Sequence, residues 1–245
     1  MTRKKKRSRI AVPVIIVCVI VAAGSVFFFP RFLIYTNLIK ARRDMGSPRR
    51  LDMQGEYKGE AGYIQTDWVT LNVPLLYPEE DEWLQKENET DIAENINISN
   101  NGIEVWVSRY TKEQENDIIP EDEIADNFGA ETINEAQVMM YKNTVGLPSL
   151  FQSIEDIETQ GEKYMSYNAF HESQKYGYAE YDGIAYTISY SKKDEQEVYY
   201  ISLYDMESGY ELLGHISVSY SLSANTKLVI EPSGILMMIR SIEFE

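Results

Sequence analysis

Residues 184–190 read Ile184-Ala185-Tyr186-Thr187-Ile188-Ser189-Tyr190, and their alternation decides the fold class. Ile184, Tyr186, Ile188 and Tyr190 fall on one side of an extended chain and Ala185, Thr187 and Ser189 on the other, because successive strand side chains point to opposite faces. β-Branched and aromatic residues in this pattern suit a pleated, half-buried surface. Val198 to Tyr204 and His215 to Leu222 follow as further strands. Together they predict an antiparallel meander with one buried face.

Upstream, Val69, Leu71 and Val73 alternate with Thr70 and Asn72, which predicts a strand over Thr66 to Val73 that Pro74 ends. Ile92 to Ser99 and Ile103 to Tyr110 flank Asn100-Asn101-Gly102, where Asn-Gly supplies the positive φ of a tight hairpin. Pro120 to Phe128 opens with Pro and acids and stops at Gly129, the pattern of a helix. Pro148 to Thr159 reads as a second helix, with Leu150, Phe151, Ile154 and Ile157 at helical spacing. Pro232 to Ile239 reads as a last helix that packs Ile235, Leu236 and Ile239 on the sheet, ahead of a strand from Ser241 to Phe244. Glu135 to Tyr141 fits either strand or helix. The fold class is therefore α+β, an antiparallel β-sheet flanked by a few helices.

One N-terminal transmembrane helix precedes that domain. Ile10 to Phe29 is twenty residues without a charge, and about twenty are needed to cross a hydrocarbon core of roughly 30 Å. Phe27 to Phe29, Phe32 and Tyr35 suit the far interface. Ala22, Ala23 and Gly24 offer a competing signal-peptide cleavage site, against which the apolar stretch continues to Phe29 and resumes at Phe32. The chain thus divides into a basic cytoplasmic tail (1–9), an anchor (10–34), a Gly- and Pro-broken connector (35–62) and an acidic domain (63–245). Six basic residues crowd before the helix while six more spread from Arg31 to Arg50, so the N-terminus is expected inside and the C-terminal domain outside a cell membrane.

The net charge of -16 conceals opposite halves. Residues 1–50 hold twelve Lys or Arg against Asp44 alone, +11, and the remaining 11 basic and 38 acidic residues give -27. A domain so acidic repels phosphate, which excludes nucleic acid and anionic head groups as its partners. The chain's 44% hydrophobic content suffices for a packed core. Cys18 lies within the apolar segment, so no disulfide forms within the chain and no Cys nucleophile serves the domain.

A strand ending Asn72-Val73-Pro74, a β-rich middle and a closing helix running into Ile239-Arg240-Ser241-Ile242-Glu243-Phe244 are similar to domains of the PsbP/Mog1-like α/β/α sandwich class. The resemblance covers most of residues 66–245. It implies a central antiparallel sheet with helices on both faces and carries over no catalytic residue. The acidic stretch from Pro78 to Glu94 departs from that compact pattern.

Chemistry-bearing motifs are sparse. His171 and His215 have no second His or Cys at ligand spacing. No serine stands in a Gly-x-Ser-x-Gly context. Glu79 to Glu82, Glu121 to Glu123 and Glu155, Asp156 and Glu158 are runs of solvated acids, whereas acid–base work needs two carboxyls in different environments. Asp91, Asn95, Asn97 and Asn101 lack the spacing of a calcium loop. Neither an enzyme nor a cofactor is expected. Twelve tyrosines crowd the region from Tyr164 to Tyr220, and because Tyr combines apolar area with a polar tip, Tyr178, Tyr186, Tyr190, Tyr200, Tyr204 and Tyr220 are the candidate interface. The functional expectation is a membrane-anchored, non-catalytic interaction or sensing module with a protein partner. The alternatives are a small-ligand carrier or enzyme with a pocket under the Tyr-rich strands, and a structural subunit of a membrane assembly.

Overall fold

The structure is a computed structural model and describes residues 5–45, 49–75, 84–89, 94–100, 102–110, 123–143, 145–170, 175–221 and 231–245. The chain forms two units, Met1–Gly46 with Gly146–Ser166, and Ser47–Val145 with Tyr167–Glu245.

The first unit is built on α1 (Lys5–Met45), 41 residues and about 60 Å long at 1.5 Å per residue. Side chains along its apolar stretch are exposed, Ile20 at 63% and Val26 at 78%, so this helix is long and apolar enough to cross a membrane. It continues through the residues expected to begin a connector. The turn Gly146–Ser153 and the first part of α4 (Ile154–Phe170) run beside its polar half in the same direction. Phe28 meets Phe151, Leu38 meets Gly161 and the Arg42 guanidinium lies over the Tyr164 ring. A Cβ on Gly161 would stand 3.1 Å from Leu38 Cδ1, so a larger residue there would push Leu38 back by a few tenths of an ångström. The helix expected from Pro148 starts instead at Ile154. Ser153 Oγ accepts the Asp156 N–H at 3.0 Å and caps it, while Ser149 and Gln152 close a turn before it.

In the second unit eight strands form one sheet in the order β1-β7-β8-β9-β10-β6-β5-β4. These are β1 (Arg49–Arg50), β4 (Leu84–Glu89), β5 (Glu94–Asn100), β6 (Ile103–Arg109), β7 (Lys175–Tyr181), β8 (Ile184–Lys193), β9 (Gln196–Asp205) and β10 (Glu211–Ser221). All pairings are antiparallel except β1 on β7. The expected meander spans β7 to β10, and β10 joins it to the β5–β6 hairpin. Gly102 takes φ +89° at that hairpin's turn; its neighbour Asn101, Pro120 of the helix expected over Pro120 to Phe128 and most of the acidic stretch at 78–94 lie outside the described residues.

Ile96, Ile98, Val105, Val107, Ile188, Ile201, Ile216 and Val218 fill one face of this sheet. A small sheet of β2 (Ala61–Gln65), β3 (Val69–Pro74) and β11 (Glu243–Phe244) covers it together with α5 (Pro232–Arg240). Ile235, Met238 and Ile239 of α5 are fully buried there, as the sequence predicts for Ile235 and Ile239. Ser241 Oγ, just after α5, ties that helix to β3 by accepting the Asn72 N–H at 2.7 Å. Leu51 also enters this core, so the segment expected as a connector contributes to the fold.

The other face is not uniformly open. The residues from Glu135 to Tyr141 are helical, within α3 (Ile133–Lys142), which follows α2 (Glu123–Phe128). Thr132 Oγ accepts the Glu135 N–H at 3.1 Å and starts α3. Val138 then packs with Ala185, Tyr204 and Leu212, and Met140 and Tyr141 with Tyr167 and Tyr176. At β7 and β8 both faces are therefore covered, where one buried face is expected.

Candidate functional site

The expected six-tyrosine interface does not form one surface. Tyr186, Tyr190 and Tyr220 point into the main core with at most 4% exposure. Tyr204 lies under α3 on the opposite face, its hydroxyl donating to Gln137 Oε1 at 2.5 Å. Tyr178, half-buried beside α3, donates to Glu180 Oε1 at 2.6 Å, and Lys142 Nζ meets the same oxygen at 2.5 Å. The Lys142 ammonium and then the Tyr178 hydroxyl hold the Glu180 carboxyl below its ordinary value, while burial foremost pushes the Tyr178 phenol up. Tyr200 alone of the six is well exposed, at 50%.

Strand register shows what surrounds it. Asn97 on β5 stands opposite Trp106 on β6, Trp106 opposite Ser217 on β10, Ser217 opposite Tyr200 on β9, and Tyr200 opposite Ser189 on β8. Directly opposed residues share a face, and strands lie about 4.8 Å apart, so the Trp106 and Tyr200 rings rise about 10 Å apart across the small Ser217. Trp106 is 39% exposed. The rows on either side are Asn95-Ser108-His215-Ser202-Thr187 and Ser99-Glu104-Ser219-Val198-Ser191. Against a net charge of -27 over residues 51–245, these fifteen positions hold one carboxylate, Glu104, and seven serines.

That carboxylate is employed within the surface. Glu104 Oε1 accepts from Trp106 Nε1 at 3.0 Å and from Asn97 Nδ2 at 2.8 Å, which fixes the indole. Trp106 is not among the residues expected at an interface, yet the sequence carries a signal for it: in Ile103 to Tyr110 the apolar residues Ile103, Val105 and Val107 alternate with Glu104, Trp106 and Ser108, which places a large ring on the polar side.

His215 pairs with Ser202, with Ser202 Oγ 2.7 Å from Nδ1, and its ring meets Tyr110 edge-on. Burial pushes its pKa down from 6.5 to about 4. Such an imidazole stays neutral at pH 7 and is a weak base, which makes the pair a cross-strand hydrogen bond and a poor nucleophile–base couple. His171 lies outside the described residues. Among the described residues no three His, Cys, Asp or Glu side chains converge as metal ligands. No protein-family model, curated protein or solved structure matches the chain.

Proposed function

We propose that this chain is a single-pass membrane-anchored recognition module, N-terminus in the cytoplasm, whose outer domain binds a protein partner without catalysis. The observation that carries the reading is the Trp106-Ser217-Tyr200 row, two exposed aromatic rings on a nearly uncharged serine-rich face. Trp and Tyr supply rigid contact area with few rotatable bonds, and Ser and Asn supply adaptable hydrogen bonds, the composition of protein-binding surfaces. The indole held by Glu104 adds preorganisation, which lowers the ordering cost of association. The long apolar helix supports the anchor, and the dense basic cluster before it supports the orientation. The PsbP/Mog1-like resemblance is consistent with this reading, since that class has no shared catalytic set.

A photo-crosslinking amino acid at Tyr200 of the full chain, in intact cells, tests the face. A discrete adduct is expected, lost when Trp106→Ala is added, with none formed from the same group at Lys193. An adduct indifferent to Trp106→Ala, or equal adducts from both positions, would refute the assignment. Protease added outside intact cells should digest the C-terminal domain; protection of that domain would reverse the orientation.

A further inference from the structure

We propose that the turn Gly146–Ser153 dips into the outer interface of the bilayer, with Phe151 as a second, non-spanning membrane contact beside the anchor. This rests on reading α1 as membrane-spanning. The uncharged stretch of α1 ends at Pro30, directly before Arg31, so the boundary between acyl chains and head groups falls at this level. The turn is held at the same level by two contacts. The Phe151 ring stands edge-on to Phe28 with centroids 5.8 Å apart, and Arg31 Nε donates to the Gln152 carbonyl at 3.1 Å. Arg31 is itself pinned, donating to the Phe27 carbonyl at 2.6 Å and lying 3.7 Å over the Phe27 ring.

Despite that fixed position, Phe151 is 81% exposed. A lone exposed apolar residue needs no explanation, but this one extends an exposed patch of Phe27, Phe28, Phe29, Phe32 and Leu33 that continues the apolar span. The same bilayer that surrounds the span therefore covers the patch, and a ring at the acyl–head-group boundary is the geometry of an interfacial anchor.

The backbone of the turn is prepared for a water-poor setting, where an unpaired N–H or C=O is costly. The Ser149 N–H donates to Gln152 Oε1 at 2.7 Å and the Gln152 N–H to the Ser149 carbonyl at 3.1 Å. The Gly146 carbonyl accepts from Gln160 Nε2 at 3.1 Å, and that of Gln152 is taken by Arg31. The exposed acids Glu155, Asp156 and Glu158 in the first turns of α4 mark where water begins and limit the depth of insertion.

The test uses the full chain in phosphatidylcholine vesicles carrying nitroxide lipids at shallow or deep positions. One sample bears an environment-sensitive fluorophore on Cys18; others carry it, in a Cys18→Ser background, at Phe151→Cys, Gly146→Cys or Lys193→Cys. Deep nitroxides should quench the Cys18 label, and shallow ones should quench the labels at 151 and 146 at least twofold more than that at 193. Because the fluorophore is apolar, the label at 146 is also read with Phe151 changed: Phe151→Ser should reduce its quenching to the level at 193 and Phe151→Leu should preserve it. A deeply quenched Cys18 label with positions 151 and 146 no different from 193, or blue-shifted but unquenched as under a protein partner or a second copy, overturns the inference and leaves the anchor standing. An unquenched Cys18 label overturns the anchor and the inference together.

Discussion

Acidification should destabilise the sheet through His215, and the size of the effect can be worked from its surroundings. Burial between β6 and β9 pushes the imidazole down from 6.5 to about 4. The unfolded chain therefore takes up the proton first as pH falls, so the stability from neutral His215 is complete above pH 6.5 and drains away toward pH 4. At about 1.4 kcal/mol per pH unit, a drop from 6.5 to about 4 caps the loss at about 3 kcal/mol. Relief of self-repulsion in so acidic a domain acts in the opposite sense as carboxylates protonate, so a single stability curve mixes the two. The difference between wild type and His215→Gln separates them, because the carboxylates and His171 are common to both. Urea unfolding of the full chain in detergent, followed by tryptophan fluorescence from pH 8 to pH 4, supplies the curves. The wild-type advantage should shrink by up to about 3 kcal/mol across that window. Two parallel curves would refute the reasoning, since they would mean that the imidazole meets water equally in both states.

Two further substitutions probe the frame that carries the candidate site. Gly214→Ala places a Cβ 2.5 Å from the Ser108 carbonyl oxygen, in backbone that cannot yield cheaply; the expected loss is about 2–3 kcal/mol in urea unfolding, and a neutral outcome would show that β10 and β6 can separate locally. Thr132→Ala removes the cap of α3 and should cost about 1 kcal/mol, with faster amide exchange in Ile133–Lys142 and unchanged exchange in β9; uniform acceleration in both would contradict a local capping role.

The meander, the β5–β6 hairpin and the last helix were legible because one-sided burial writes its period into the sequence, as in Ile184 to Tyr190. Other elements left a weaker mark for identifiable reasons. Strand β4 reads Leu84-Gln85-Lys86-Glu87-Asn88-Glu89, since an edge strand is defended by charge and shows no apolar alternation. Strand β1 is two arginines paired to Lys175 and Tyr176, a contact made across more than a hundred residues that no local pattern encodes. β7 had a readable signal in Asp182-Gly183, whose φ angles of 50° and 78° form its hairpin with β8. Of the candidate site, Tyr200 followed from its type; Trp106 carried a signal in its place in the alternation but was not among the expected residues, and Ser217 between them needed the register.

Abundance of tyrosine is a poor guide to an interface in this protein, because most of the phenols are consumed internally. Tyr220 donates to the Pro74 carbonyl at 3.4 Å across the main core, Tyr204 reaches Gln137 on α3, Tyr178 reaches Glu180, and the Tyr167 and Tyr176 hydroxyls bond each other. A buried Tyr contributes a large apolar area but requires a partner for its hydroxyl. The pairings of Tyr220, Tyr204 and Tyr167 with Tyr176 each fasten a helix or second layer to the sheet at a defined point, while that of Tyr178 stays within β7. The residues left for recognition are those whose rings no second layer covers, and the register reduces them from six tyrosines to Tyr200, joined by a tryptophan two strands away.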